Sequence, residues 1–291
     1  MEENQSRAAG LGLLTFPYGA KDLVHLKRWI TGLSALPVLI FLIYLGGFPF
    51  LLLIGVACIC AQWEYNRIIS NADADFMSSV VVRWGYLTSV LILLATHISG
   101  ISLVAVLLAL NLVIVGVMSV FLYKSNPRVG LIIQKQVLGI IYIPVSLSLL
   151  AVIRNGPDGM LFIFLLLAII FAGDTSAYYV GSYLGRHKLS PAISPGKTIE
   201  GALGGLGGNL LAGSIGIAFF MPSISWGAGI LLFLAAGIAG QVGDLFESEM
   251  KRSSDIKDSG NLLPGHGGFL DRIDALLFAS PVAYLFKVYI F

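Results

Sequence analysis

Charge is what this sequence has least of. Lysine, arginine, aspartate and glutamate together make up 12% of its 291 residues, about half the share usual in a soluble domain. With so few polar side chains, a chain of this length cannot cover a water-facing exterior, however large its core. A hydrophobic fraction of 57% and a mean hydropathy of +0.87 complete the exclusion. The class is a polytopic integral membrane protein. A net charge of only +2, with no basic-aromatic motif, excludes nucleic acid as a partner. Cysteine is scarce as well. Cys58 and Cys60 lie two apart in an apolar run, so on a helix they point different ways and read as small apolar residues. Residues 1–26 lack the basic start and long apolar centre of a secretory signal and read as a flexible or interfacial segment. There is no internal repeat, low-complexity tract or soluble domain.

What remains is apolar and helical. A membrane barrel would alternate apolar and polar positions over segments of about ten residues. Here runs such as LSALPVLIFLIYL and LFIFLLLAIIFA are uninterrupted, and about 20 such residues cross a bilayer as a helix. The expected fold class is all-α, with about nine transmembrane helices near 27–46, 49–69, 80–97, 100–122, 131–153, 158–184, 200–220, 227–250 and 272–291. About five helices fall in an N-terminal region, 27–160. About four fall in a C-terminal region, 161–291, which holds two polar loops, 185–199 and 251–271. Nine spans with the N-terminus in the cytoplasm place sixteen of the eighteen lysines and arginines inside, leaving only Arg154 and Lys287 on the far side. Both polar loops are then cytoplasmic.

Acids stand where lipid should be. Asp174 interrupts IIFAGDTSAYYVG, Glu200 opens the seventh span, and Asp244, Glu247 and Glu249 lie in GDLFESEM. Intramembrane carboxylates are costly and normally face a polar cavity or a cation. Asp244, Glu247, Ser248 and Lys251 share one helical face, and Asp271 and Asp274 are expected in the first turn of the ninth span. Carboxylates from two helix ends could hold Mg²⁺, which takes one or two of them and completes its shell with water and phosphate. Glu64, in QWEYNR, is expected to pair with Arg67. In ISPGKTIEG (193–201) the Gly-Lys-Thr resembles a phosphate-binding P-loop, but the first glycine of that motif would fall at Pro191 and no strand precedes it. The loop still offers Ser194, Pro195, Gly196, Lys197 and Thr198 to an anion at a helix N-terminus, with Thr198 as its cap. GSYLG (181–185) reads as close helix packing, and Tyr178 and Tyr179 as packing residues.

From Ser248 the chain runs SEMKRSSDIKDSGNLLPGHGGFLDRID. This resembles the signature of the phosphatidate cytidylyltransferases, with Ser248, Lys251, Arg252, Lys257, Asp258, Gly260, Pro264, His266, Gly267, Gly268, Asp271, Arg272 and Asp274 at its fixed positions. The upstream runs AGDTSAYYVGSYLGRHKLSPAISPGKTIEGALGG and QVGDLFES resemble the same family. The resemblance implies transfer of a cytidylyl group from CTP to phosphatidic acid, giving CDP-diacylglycerol and pyrophosphate. It also implies Mg²⁺ on Asp244 and Asp271, with a second cation left open, and a homodimer in a bacterial plasma membrane with its site facing the cytoplasm.

The nucleophile of that reaction is already an anion, so the demand is for alignment and charge neutralisation. Lys197, Lys251, Arg252, Lys257 and Arg272 are expected to share phosphate charge. His266 contacts phosphate or orients a ligand. Asp258, Asp274 and Glu247 hold these bases, and Asp174 lines the cavity or assists the metal. Ser248, Gly267 and Gly268 join the loop in binding substrate. Two other readings differ at the site. A transporter of anions would need polar groups on both membrane faces, whereas these converge on one. A CTP-dependent lipid kinase would transfer the γ-phosphate rather than the α.

Overall fold

The computed structural model describes residues 35–70, 74–256, 260, 262 and 267–291. Helices α1 (Ala35–Leu45), α2 (Gly47–Ile69), α3 (Ala74–Met77), α4 (Val80–Ser99) and α5 (Ser102–Leu122) come first. A rod follows in which α6 (Val129–Ile140) continues through a π-helical turn, Ile141–Val145, into α7 (Ser146–Asn155). Then come α8 (Gly159–Leu184), the strands β1 (Lys188–Ser190) and β2 (Ser194–Thr198), α9 (Ile199–Phe220) and α10 (Trp226–Ser253). A 3-10 turn (Leu270–Arg272) leads into α11 (Asp274–Tyr289).

Among the described residues, seven helices are long and apolar enough to cross a membrane: α2, α4, α5, the α6–α7 rod, α8, α9 and α10. The first and last expected spans are not among these seven. α1 is a short apolar helix, the rest of its expected span lying outside the described residues, and α11 has 16 residues. The π turn falls at Pro144, which has no N–H to give the ladder, so the rod absorbs the proline by widening instead of breaking. Arg154, one of the two bases expected on the far side, caps α1. Its Nε and Nη2 donate to the carbonyls of Ile43 and Tyr44 at 2.5 and 2.7 Å, where the last helical carbonyls lack partners.

The main core is built from α2, α7, α8, α10 and α11, around Tyr65, Leu147, Phe162, Ile169, Phe233 and Leu277. α5 is the opposite case. It is the most apolar of the seven, yet only Val104, Asn111 and Val115 are buried, and Val113, Val117, Val120 and Phe121 face outward. An apolar outer face on the most apolar helix suits lipid as solvent. Between α4, α5 and α6, the Asn111 side-chain oxygen accepts from Trp84, Thr88 and Gln136, the kind of interhelical polar link that membrane helices use. Cys58 and Cys60 are free thiols, as expected.

Small residues let α8, α9 and α10 approach closely. The buried Asn209 of α9 fills the space that side chains would take at Gly173 of α8 and Gly237 of α10. A Cβ added there would lie 1.9 and 1.7 Å from its amide atoms. Gly181 and Gly185 of the GSYLG run pack against Thr198, the packing role expected of them. Gly237→Ala is therefore expected to displace Asn209 and to lower stability by about 1–3 kcal/mol, the usual cost of overpacking. Thermal unfolding in detergent measures it.

The loop expected at 185–199 is not purely irregular, although the described residues are mostly helical as expected. β1 and β2 pair antiparallel, with Lys188 opposite Thr198 and Ser190 opposite Ser194. The strands are too short to carry an alternating pattern. Contacts with the α9 start close the hairpin: Ile199 N donates to the His187 carbonyl at 2.9 Å, and Glu200 accepts from the backbone N–H groups of Arg186 and His187 and meets His187 Nδ1 at 2.6 Å.

Candidate active site

Four elements meet at one end of the bundle, around a cavity of about 510 Å³. The C-terminal half of α8 contributes Asp174, Tyr178, Gly181 and Ser182. The hairpin contributes Leu189, Ser194, Gly196 and Lys197, and α10 contributes Gln241 and Asp244. Thr198 ends β2 and caps α9, its Oγ1 accepting from Gly201 N at 3.1 Å. The α9 N-terminus is thereby fixed at the cavity wall, and Gln241 holds it from α10 by donating to the Ala202 carbonyl at 2.9 Å. Lys197 Nζ lies 2.7 Å from Asp244 Oδ2 across the cavity. Tyr178, expected to pack, instead lines the cavity with 70% of its surface exposed.

One turn further along α10 lies a second cluster. Lys251 Nζ bridges Glu247 Oε2 on its own helix and Asp271 Oδ1 in the 3-10 turn, the latter at 2.6 Å. Asp271 Oδ2 accepts from Gly268 N at 3.1 Å. Gly267, just before, has φ of +82°, which only glycine adopts without strain. The shared face expected for Asp244, Glu247 and Lys251 is present. The placement of Asp271 differs from expectation, because only Asp274 belongs to α11 while Asp271 sits in the separate 3-10 turn. Ile273, at φ −123° and ψ −1°, breaks the helical path between them.

Other expected residues divide. Asp274 is buried at the start of α11, where its backbone packs against Gly243, the residue before Asp244 on α10. Ser248 is half-buried beside Glu247, and Pro195 is exposed on β2, outside the cavity lining. Arg252 ties α10 to the hairpin, its Nε donating to the Ile193 carbonyl at 3.1 Å. Arg272 lies on the exposed side of its turn. Lys257, Asp258, Pro264 and His266 lie outside the described residues. The expected pairing of Glu64 with Arg67 is overturned. Glu64 is fully buried and its Oε2 accepts from Leu270 N at 2.7 Å, while the Arg67 guanidinium lies over the Trp63 ring. The signal for Glu64 was present in the sequence, since it is a carboxylate inside an apolar span, but a base three residues away supplied a simpler partner.

The donor set suits a hard cation. Among the described residues, Lys197 meets Asp244 and Lys251 meets Glu247 and Asp271, and Asp174 lines the same cavity as Asp244. Among the described residues, no three His, Cys, Asp or Glu side chains converge as a ready-made cage. One or two carboxylates with room for substrate phosphate is what Mg²⁺ favours.

Comparison with known proteins agrees with this chemistry. A phosphatidate cytidylyltransferase of Bacillus subtilis is 36% identical over 265 residues, covering 89% of this chain and 96% of its own length. One from Brucella abortus is 32% identical over 264 residues, covering 89% and 92%. One from Synechocystis is 49% identical over 136 residues, 46% of each chain. The model of the cytidylyltransferase family matches residues 26–290. With nearly the whole length matched, the chain belongs to the cytidylyltransferase family.

Proposed function

We propose that this protein is a phosphatidate cytidylyltransferase: it transfers the cytidylyl group of CTP to phosphatidic acid, giving CDP-diacylglycerol and pyrophosphate, a step of phospholipid synthesis. The observation that carries the reading is the cavity in which Lys197 and the capped α9 N-terminus face Asp174 and Asp244, with Lys251 about two turns further along α10 and paired with Asp271. Its volume lies within the range of about 300–1,000 Å³ typical of small-molecule sites.

Each group then has a task. The hairpin offers Ser194, the Gly196 backbone, Lys197 and the α9 N-terminus to the CTP phosphates, since backbone N–H groups and a helix dipole favour anions. Asp244 and Asp271 would hold Mg²⁺, which supplies charge neutralisation at the triphosphate. Lys251, steadied by Glu247, carries positive charge to the same place. The lipid phosphate attacks as an anion, so no side chain need remove a proton. The phosphorus–oxygen bond to pyrophosphate breaks as the new one forms, and the lysines offset the charge that moves onto pyrophosphate. Arg252 keeps the hairpin against α10, and so keeps Lys197 in place.

The same reading carries nine spans, a cytoplasmic N-terminus and site, and a homodimer. The lipid reaches the site from the bilayer and CTP from the cytoplasm. CTP labelled on the α-phosphate is expected to leave label in lipid extracts when phosphatidic acid is supplied, whereas label on the γ-phosphate stays in the aqueous phase. γ-Label in the lipid would replace this reading with a lipid kinase.

A further inference from the structure

The Glu64 contact joins two distant parts of the chain. A fully buried carboxylate on an apolar helix needs a partner, and part of what it has is a backbone N–H 206 residues away, that of Leu270 at 2.7 Å. Leu270 opens the 3-10 turn, and its N–H is among the donors that a helical turn leaves without internal partners. Asp271 is the next residue, with its two oxygens committed to Lys251 Nζ and Gly268 N. The turn is thus held on one side by Glu64 and on the other by Lys251. The opposite oxygen of Glu64 faces Gly260, where an added Cβ would come within 2.6 Å of it. The carboxylate therefore binds Leu270 and stands beside Gly260, two positions ten residues apart within the signature run.

The post that carries it is fixed. Tyr65, the next residue, is buried and donates its hydroxyl to the Lys135 carbonyl at 2.9 Å, while Lys135 Nζ donates to the Ile69 carbonyl at the end of α2.

We infer that Glu64 of α2 is a positioning residue for Asp271. It accepts the Leu270 N–H and so sets where the Asp271 carboxylate stands relative to Asp244 and Lys251. The N-terminal helices are, on this account, part of the active-site machinery. The inference rests on the reading of Asp271 as a residue of the transfer site.

The test uses the full chain in detergent and two readouts. Hydrogen exchange of the peptide covering 267–273, without nucleotide or metal, reports the turn itself. Turnover of CTP with phosphatidic acid reports its consequence. Glu64→Ala is expected to speed exchange over 267–273, leave α8 and α9 peptides unchanged, and lower kcat by about tenfold to a hundredfold, the scale of an ångström-level misplacement. Glu64→Gln keeps an acceptor oxygen and is expected to restore slow exchange and turnover. Should Glu64→Ala fail to fold, Gly260→Ala displaces the carboxylate without deleting it and is expected to act in the same direction. Unchanged exchange, faster exchange without loss of turnover, loss of turnover without faster exchange, or Glu64→Gln behaving as Glu64→Ala each overturns the inference. An active Asp271→Asn variant would instead remove the role given to Asp271, leaving the exchange result for Glu64 intact.

Discussion

Asp271→Asn is expected to bring cytidylyl transfer below detection at every CTP concentration tested, while the protein purifies with an unchanged elution profile. The substitution keeps the shape of the side chain and one oxygen acceptor, so the contact with Gly268 N, at 3.1 Å, can persist. What it removes is the negative charge that meets Lys251 at 2.6 Å and would meet the metal. Removing one group that stabilises developing charge typically costs about 10²–10³-fold in rate. A carboxylate that also holds the cation is expected to exceed that range. Raising CTP or Mg²⁺ does not rescue the variant, because the deficit lies in the transition state as well as in binding. Near-normal turnover would show that Asp271 is not a metal ligand.

Seven of the nine expected spans match described helices because the bilayer sets one length scale and the sequence meets it repeatedly. The chain turns at 46, 100 and 156, each of them a glycine, and these were legible as breaks between apolar runs. The shared face of Asp244, Glu247 and Lys251 was legible too, since helical periodicity alone dictates it. What was not legible depends on contacts between elements. The hairpin at Lys188–Thr198 follows from Glu200 and His187 closing on each other, and no periodicity announces it. Asn209 has no local signal, because its fit is supplied by glycines on two other helices. Glu64 was misassigned for the same reason. Local spacing offered Arg67, and the partner actually used is a backbone group 206 residues away. Sequence reading finds residues whose neighbours are three or four positions off, and it misses those whose neighbours arrive through the fold.

Lys251→Met separates the structural and chemical demands on one side chain. Its side chain is 12% exposed, and its ammonium bridges Glu247, whose side chain is 1% exposed, to Asp271. Removing one partner of a buried pair leaves a charge without compensation, and the usual cost is about 3–5 kcal/mol. The single variant is expected to show a sharply lower unfolding temperature together with loss of transfer. Adding Glu247→Gln to it removes the more deeply buried of the two charges left unpaired, the other being that of Asp271, and is expected to recover part of the stability. Transfer stays lost, because the ammonium that meets the phosphates is still missing. Recovery of activity along with stability would reduce Lys251 to a structural tie. The expected split follows from where the lysine stands. An ammonium buried in a membrane bundle needs partners, and here the carboxylates that hold Lys251 in place are those that aim it at the substrate.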